Sequence, residues 1–315
     1  MSPKVSVVIP NYNHERFLTQ RISSVLNQTY QDFELIILDD CSTDNSRNVI
    51  ETFRYNPKVS KIVYNKINSG TTFKQWKKGV ELAQGSYIWI AESDDYASPG
   101  FLDTLIKPFL EYNDLVISFC RSVNVDENSN VLGLTLHADQ LDAIKWTIDY
   151  VEEASVEIDR YLKYRNTIPN ASAVLFKKPK DIKSLLPTEM KFTGDWVFWK
   201  NILKENNGKI AYSQKPLNFF RTHAKTTRDL TTKSTIEIEL KRFKEYKTFV
   251  PKFYFNFIDD RFRWMMAEWI DRGVPELVKH SRYRYIPELH PVLIARYYLY
   301  MLKRLFKNFN STSHK

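Results

Sequence analysis

The sequence predicts an α/β protein with a mainly parallel β-sheet that carries helices on both faces. Through residues 1–115, short apolar stretches rich in β-branched residues alternate with segments whose apolar residues recur at helical spacing. Strands that alternate with helices of this length favour parallel pairing. Of the 315 residues, 43% are hydrophobic, which is enough for one large α/β domain with an appendage or for two modest domains.

The predicted elements follow one another in a regular order. The strands cover Val5–Ile9, Phe33–Leu38, Lys61–Tyr64 and Tyr87–Ala91. The helices are predicted around Phe17–Leu26, Val49–Phe53, Phe73–Ala83 and Phe101–Tyr112. Ser42-Thr43-Asp44 supplies capping residues for the second helix, and Gly85 closes the third.

The alternation ends near residue 115. Two further strands are predicted at Leu115–Cys120 and Ala173–Lys177, and a polar, partly helical insertion (residues 139–165) lies between them. After residue 235 the chain is rich in aromatic and basic residues and predicts an all-helical C-terminal extension (residues 236–315). Four prolines divide that extension into pieces, at Pro251, Pro275, Pro287 and Pro291.

The net charge of +9 lies entirely in the C-terminal part, because residues 241–315 hold 16 basic and 7 acidic side chains. No zinc-finger, RNA-recognition or helix-turn-helix pattern accompanies this charge, so we expect no nucleic-acid partner. Contact with an anionic membrane surface would use both the charge and the neighbouring aromatic residues. A solvated basic face on ordinary helices, or a homodimer formed through these helices, accounts for the pattern equally well.

The cysteine content and the start of the chain indicate a cytoplasmic protein. Only Cys41 and Cys120 occur, which predicts no disulfide framework. Met1 leads directly into the first predicted strand and leaves no room for a signal peptide. No stretch reaches the ~20 apolar residues of a membrane span. We therefore expect a cytoplasmic location, peripheral on the inner face of the membrane if the extension binds lipid.

The most informative run is Trp89-Ile90-Ala91-Glu92-Ser93-Asp94-Asp95, in which a buried strand delivers three acids to its C-terminal end. Ligands bind at that end of open α/β sheets. Crowded carboxylates repel one another and lose hydration, so a positive group between them is expected. Mg²⁺ or Mn²⁺ carrying a diphosphate meets this requirement. The alternative is an acidic turn that caps the next helix.

A second set of polar residues follows the first two strands. Tyr12, in the turn Pro10-Asn11-Tyr12-Asn13, could stack on a planar base, while Asp39-Asp40 could accept hydrogen bonds from the base or the ribose. No Gly-x-Gly turn and no Walker-type Gly-Lys-Ser/Thr occurs in the chain. Phosphates would therefore be held by a metal near residue 94 and not by a glycine-rich loop. Each motif could also serve only as a turn or a helix cap.

Taken in order and spacing, these motifs resemble family 2 glycosyltransferases of the GT-A fold. The resemblance covers about residues 4–112 and rests on four segments: Pro10-x-Tyr12-Asn13, Phe33 to Asp44, Asn68-Ser69-Gly70, and Ala83-x-Gly85 running into Glu92-Ser93-Asp94-Asp95. It implies a nucleotide-sugar-binding half (residues 1–115) followed by an acceptor-binding half (residues 116–235). It also implies an inverting transfer of a sugar from a nucleotide diphosphate, usually UDP, to a hydroxyl of a glycan or lipid-linked acceptor.

The resemblance assigns roles residue by residue. Pro10, Tyr12 and Asp40 frame the base, with Asn13, Asp39 and Asn68 in the same nucleotide site. Glu92 to Asp95 matches the family's metal and diphosphate motif, with Glu92 in place of its first Asp, so that Glu92 and Asp94 face the donor and Asp94 and Asp95 hold the metal. Lys77-Lys78 stands where members often have Arg-Asn, which suggests a phosphate contact or a solvated helix face.

Three segments of the second half complete the implied site. Asp195, in Thr193-Gly194-Asp195-Trp196, resembles the family's catalytic base and would also suit a helix N-cap. His223 resembles the histidine that reaches the metal, and Arg221 and Arg228 would stabilise the departing diphosphate. Asn170-Ala171-Ser172 would bind sugar hydroxyls or only shape a turn.

Two other functions remain open at this point. A sugar-nucleotide nucleotidyltransferase also gathers acids and a nucleotide at strand ends, although such enzymes favour glycine- and arginine-rich loops early in the chain. A catalytically idle nucleotide-sugar-binding module would keep the fold without the chemistry. The presence of Asp94, Asp95, Asp195 and His223 together favours the transferase.

Overall fold

A computed structural model describes residues 4–135, 141–163 and 165–223, together with Glu245 and Leu302. Residues Met1–Thr226 form one compact unit, and the architecture below belongs to it. The predicted helices of residues 236–315, apart from those two single residues, lie outside the described part, as do Arg228 and the expected membrane and dimer contacts. Among the described residues, no helix combines the length and the apolar character that a membrane span requires.

Within the described residues, ten strands form one sheet. In chain order they are β1 Val5–Asn11, β2 Phe33–Asp39, β3 Val59–Tyr64, β4 Tyr87–Ile90, β5 Tyr96–Ala97, β6 Leu115–Val125, β7 Val131–Leu134, β8 Tyr150–Glu153, β9 Val174–Lys177 and β10 Lys209–Arg221. Their spatial order is β3-β2-β1-β4-β9-β6-β10-β5, with β7 beside β6 and β8 beside β10.

The sheet is parallel in its first half and mixed in its second. The strands β3, β2, β1 and β4 run parallel to one another, and β6 and β10 form a further parallel pair. The strand β9 runs antiparallel between β4 and β6, and β5, β7 and β8 also pair antiparallel. The predicted α/β class is confirmed, with parallel pairing concentrated in the half that the early strand–helix alternation encodes.

Seven α-helices accompany the sheet in the described part: α1 Glu15–Leu26, α2 Ser46–Glu51, α3 Thr72–Leu82, α4 Phe101–Glu111, α5 Ala154–Glu157, α6 Ile182–Leu185 and α7 Gly194–Asn206. Every residue of β1 and β2 is buried, as expected for strands covered on both faces. The helix α1 buries Phe17, Leu18, Ile22 and Val25, the stripe that its helical spacing predicts.

The strand β6 is longer than the predicted Leu115–Cys120, and no pattern of the sequence predicts β10. The strand β6 continues past Cys120 to Val125, because Arg121 and Asn124 still pair with β10. The strand β10 contains Pro216, and its pairing with β6 shifts register on both sides of that residue. A bulge accommodates a proline that cannot donate to the ladder. The end of β10 lies at the acidic run after β4, since Arg221 N donates to Asp95 Oδ1 at 2.9 Å.

Candidate active site

Three side chains from three separate chain segments converge at the carboxyl end of the sheet. His14 follows β1, Asp94 follows β4, and His223 follows β10. One possible ligand atom from each lies within 4.8 Å of the others. His223 Nε2 is 3.1 Å from Asp94 Oδ2. Two imidazoles and a carboxylate are an established ligand set for a divalent cation, so the residues present fit the predicted metal.

The resemblance assigned Asp94 and His223 to this cluster, and sequence reasoning missed His14. The position of His14 was the signal that could have identified it. His14 lies three residues beyond the first strand, at the same edge of the sheet as the acids. Its ring lies against Ser93, with His14 Nδ1 2.8 Å from Ser93 Oγ.

The three acids of the run differ in their electrostatic environment. Burial opposes ionisation of Asp94, but the hydrogen bond from His223 and the charge of the nearby histidines lower the pKa of Asp94. Burial and then the neighbouring Asp94 raise the pKa of Glu92 to about 8. Burial and Asp94 likewise raise the pKa of Asp95 to about 6. Near neutral pH, Asp94 is therefore the acid whose anionic form the structure favours most.

Asp95, predicted as a metal ligand, faces the interior and does not join the cluster. It is 1% exposed. Its Oδ1 accepts from the backbone N–H of Arg221 at 2.9 Å, and its Oδ2 accepts from Asn170 Nδ2 at 3.0 Å. Asp95 thus fastens the acidic run to β10 and to the turn before β9, because both carboxylate oxygens already have protein donors.

Glu92 also departs from the expected donor contact. Its Oε1 accepts from Trp76 Nε1 at 2.6 Å and from Thr72 Oγ1 at 3.3 Å, both on α3. The longer side chain in place of the family's Asp therefore reaches a helix, and the structure does not bring it into the cation cluster.

Arg221, predicted to contact the diphosphate, is a buried structural residue. It is 1% exposed, and its guanidinium donates to Asp94 O, Asp126 O, Ser129 Oγ and Gln20 Oε1 over 2.6–3.1 Å. These bonds engage all three guanidinium nitrogens and tie the acidic run to the 126–130 loop and to α1. All three guanidinium nitrogens of Arg221 therefore already have protein acceptors, and its contact with a diphosphate stays a prediction.

A second buried arginine, Arg21 of α1, was not anticipated. It is fully buried and donates through Nε to the carbonyl oxygen of Glu92 at 2.8 Å. Burial lowers its pKa to about 10, against the attraction of the acidic run, above all of Asp95. Its two terminal nitrogens have no hydrogen-bond partner among the described residues. Arg21 occupies the apolar stripe of α1, at helical spacing from Phe17 and Val25, and this spacing is the signal that could have revealed it.

The predicted base-binding loop lies beside the cluster. The ring of Tyr12 is 47% exposed, which leaves a face for stacking. Asn13 adopts a left-handed backbone (φ 57°) and its Oδ1 accepts from Thr43 N at 2.7 Å. Pro10 is buried in β1. Tyr12 is thus the open side chain of this loop, and Asn13 fixes the loop against the turn after β2.

Asp39 and Asp40 organise two turns around that loop. Asp39 accepts from Asn11 Nδ2 at 2.9 Å and from the backbone of Ser42 at 3.0 Å. Asp40 accepts through Oδ1 from Asn65, Ser69 and Gln75 and through Oδ2 from Ser69. Asn68 Nδ2 donates to Asp40 O at 3.0 Å. The structure brings these predicted residues together, but both aspartates are buried and already accept several hydrogen bonds.

Asp195 lies in the first turn of α7, which begins at Gly194, so it is not the N-cap residue that its position suggests. Its Oδ1 accepts from Trp196 N at 2.7 Å and its Oδ2 accepts from Asn166 Nδ2 at 3.0 Å. A Cβ on Gly194 would come within 2.5 Å of the Phe73 ring. The absence of a side chain there lets the start of α7 approach α3, the helix that also holds Glu92.

One short segment, residues 166–172, connects the two groups of carboxylates. Asn166 donates to Asp195, and Asn170 donates to Asp95. Ser172 Oγ accepts from the backbone N–H of Glu92 at 3.1 Å, and Ser172 O accepts from Trp89 Nε1 at 2.8 Å. Asn170 also caps the following turn, since its Oδ1 accepts from Ser172 N at 2.7 Å. The polar side chains of this segment therefore position the carboxylates of the site through hydrogen bonds.

Comparison with known proteins supports a common origin for this architecture. The family model described as glycosyl transferase family 2 matches residues 6–173. An uncharacterised glycosyltransferase of Haemophilus influenzae is 29% identical over 256 residues, which cover 81% of this chain and 94% of that protein. The Bacillus subtilis glycosyltransferase TuaG, named for teichuronic acid biosynthesis, is 31% identical over 172 residues, 53% of this chain and 67% of its own.

A solved structure shares the fold. The S. aureus protein TarS (residues 1–349), determined in complex with UDP-GlcNAc, superposes with a TM-score of 0.57 and 18% sequence identity. The match covers 89% of this chain and 73% of that one. At this identity the likeness establishes the architecture, and it agrees with the fold class predicted from the sequence.

Proposed function

The chain belongs to glycosyl transferase family 2, whose model matches more than half of it, and on this basis we propose an inverting, metal-dependent transfer of a sugar from a UDP-linked donor to a hydroxyl of a glycan or lipid-linked acceptor. The observation that carries the proposal is the convergence of Asp94 and His223 beside the Tyr12 loop. A cation ligand set and an exposed aromatic ring at one sheet edge suit the diphosphate and the base of a nucleotide sugar.

In the proposed reaction, the acceptor oxygen forms a bond to the anomeric carbon while the bond from that carbon to the diphosphate oxygen breaks. The hydroxyl proton passes to the carboxylate of Asp195, and the bonding electron pair leaves with the nucleoside diphosphate. Attack opposite the leaving group inverts the configuration of the carbon. A cation bound by Asp94 and His223 would offset the charge that develops on the diphosphate.

The proposed acceptor class follows from the relatives. TuaG is named for teichuronic acid biosynthesis, and we extend to this chain a role in building a bacterial cell-envelope polysaccharide. The TarS complex with UDP-GlcNAc supports the choice of UDP as the nucleotide. The pairing of Asp94 with His223 and the hold of Asn166 on Asp195 at the start of α7 support a transferase over an idle module.

A thermal-shift titration tests the shared basis of this proposal. We expect UDP to raise the melting temperature in Mn²⁺ but much less in EDTA, because the diphosphate needs the cation held by Asp94. A ligand at 100 times its Kd stabilises the folded state by about 2.7 kcal/mol, a shift of several degrees.

The variant Asp94→Asn should lose the Mn²⁺-dependent part of this shift. The matched control is Asp103→Asn, which changes an exposed aspartate paired with Lys107 on α4 and should keep it. An equal UDP shift in Mn²⁺ and in EDTA for the unaltered protein would refute the metal-dependent donor site.

A further inference from the structure

The loop after β1 contributes His14 to the cation cluster, although no sequence motif assigns this histidine to a metal site. His14 lies with Asp94 and His223 in a group whose possible ligand atoms are all within 4.8 Å of one another. The rings of His14 and His223 meet edge to face, with centroids 5.3 Å apart and planes at 89°. Two imidazoles and one carboxylate thus lie close enough together to share one cation.

The position of His14 is fixed by its surroundings. The preceding residue, Asn13, is held by hydrogen bonds to the turn after β2, with Asn13 N donating to Ser42 Oγ at 3.0 Å and Asn13 Oδ1 accepting from Thr43 N at 2.7 Å. The His14 ring contacts Phe17 at a centroid distance of 6.2 Å, and its Nδ1 is 2.8 Å from Ser93 Oγ. Groups that fix the orientation of a ligand side chain in this way are a regular part of metal sites.

The remaining acids do not add oxygen ligands to this cluster. Both carboxylate oxygens of Asp95 accept hydrogen bonds from Arg221 and Asn170 in the interior. The carboxylate of Glu92 accepts from Trp76 and Thr72 on α3. Within the described residues, the side chains around the candidate cation therefore supply two nitrogen atoms and one carboxylate.

We propose that His14 is the third protein ligand of the cation, and that the resulting two-histidine, one-carboxylate set selects a first-row transition cation such as Mn²⁺ over Mg²⁺. Imidazole nitrogen binds transition cations well, and three ligands of this kind leave positions open for oxygens of a bound diphosphate. Mg²⁺ prefers oxygen ligands in near-ideal octahedral geometry and gives up its water reluctantly. The role of the cation in catalysis rests on the proposed function. The ligand set, in contrast, is present in the protein without a bound nucleotide sugar.

The test is cation affinity in the absence of nucleotide, measured by the loss of the free Mn²⁺ signal in electron paramagnetic resonance and by competition with Mg²⁺. The unaltered protein should bind Mn²⁺ more tightly than Mg²⁺, because Mg²⁺ is held almost entirely by oxygen ligands and gains least from imidazole nitrogen. His14→Ala should weaken Mn²⁺ binding by about 10- to 100-fold while changing Mg²⁺ binding little, because Mg²⁺ gains little from imidazole. His14→Glu, which returns an oxygen ligand, should reduce the preference for Mn²⁺.

The matched control is Tyr12→Ala, two residues away in the same loop. It should keep the Mn²⁺ affinity of the unaltered protein but weaken UDP binding, which separates damage to the loop from loss of a ligand. Melting curves in EDTA confirm that each variant is folded. Unchanged Mn²⁺ affinity in His14→Ala, or equal affinities for Mn²⁺ and Mg²⁺ in the unaltered protein, would overturn the proposal and leave the transferase reaction itself untouched.

Discussion

Replacing Asp195 by Asn is expected to lower kcat by about 10²- to 10⁴-fold, the usual contribution of a general base. The amide has nearly the shape of the carboxylate but cannot take up the proton of the attacking hydroxyl. The affinity for UDP in Mn²⁺ should stay within a few-fold of the unaltered value, because Asp195 contacts α7 and Asn166 and is absent from the cation cluster. Initial rates and calorimetric titration of UDP measure the two quantities separately.

Two further variants sharpen this result. Asn166→Ala removes the donor to Asp195 Oδ2 and should lower kcat less than Asp195→Asn does, with an unchanged KM for the donor, because the base loses its orientation and not its function. Asp181→Asn is the matched control, since Asp181 caps α6 through Lys183 N at 2.9 Å and Asn caps a helix equally well. Retention of normal turnover by Asp195→Asn would remove the proposed base.

Replacing Arg221 by Met is expected to destabilise the protein by about 3–5 kcal/mol, the cost of removing one partner from a buried charged network. The change leaves two backbone carbonyls, Ser129 Oγ and Gln20 Oε1 without the donors that Arg221 supplies. Unfilled buried acceptors lose their hydration without compensation. For a compact unit of this size the melting temperature should fall by roughly 6–20 °C.

Arg16→Met is the control for Arg221→Met. Arg16 also contacts the 126–130 loop, through Asn128 at 2.6 Å and Glu127 at 3.3 Å, but its side chain is 54% exposed. Exposed pairs contribute about 0–1 kcal/mol, so the melting temperature should hardly change. If Arg221→Met kept its melting temperature and lost UDP affinity, Arg221 would be a diphosphate contact after all.

The protein itself supplies part of the positive charge that its acidic run needs. Three acids at the end of one strand require positive charge nearby, and from the sequence alone a bound cation is sufficient to meet this requirement. The structure supplies two buried arginines, Arg21 and Arg221, directly behind the run. A cation site is therefore indicated by the proximity of Asp94 to two histidines, His14 and His223. These residues come together only in the tertiary structure.

Elements were predicted correctly where the pattern that specifies them lies within a short stretch of the sequence. The strands β1 to β4 were readily predicted, since each is an apolar run and pairs with near neighbours in the chain. The strand β10 was not predicted, because Gln214 to Pro216 interrupt its apolar pattern and pairing with β6 sustains it. His14 and Asn166 were missed for the same reason, since neither belongs to a local pattern and each acquires its partner only on folding.

The proposed metal-dependent sugar transfer is tested by measuring the release of nucleoside diphosphate from a panel of nucleotide sugars, with and without Mn²⁺. We expect UDP release from at least one UDP-sugar, dependent on Mn²⁺ and reduced to background by Asp195→Asn. Pyrophosphate formed from a nucleoside triphosphate and a sugar phosphate would indicate a nucleotidyltransferase instead. Folded protein that binds UDP but releases no diphosphate from any donor in the panel would rule out the proposed transferase activity.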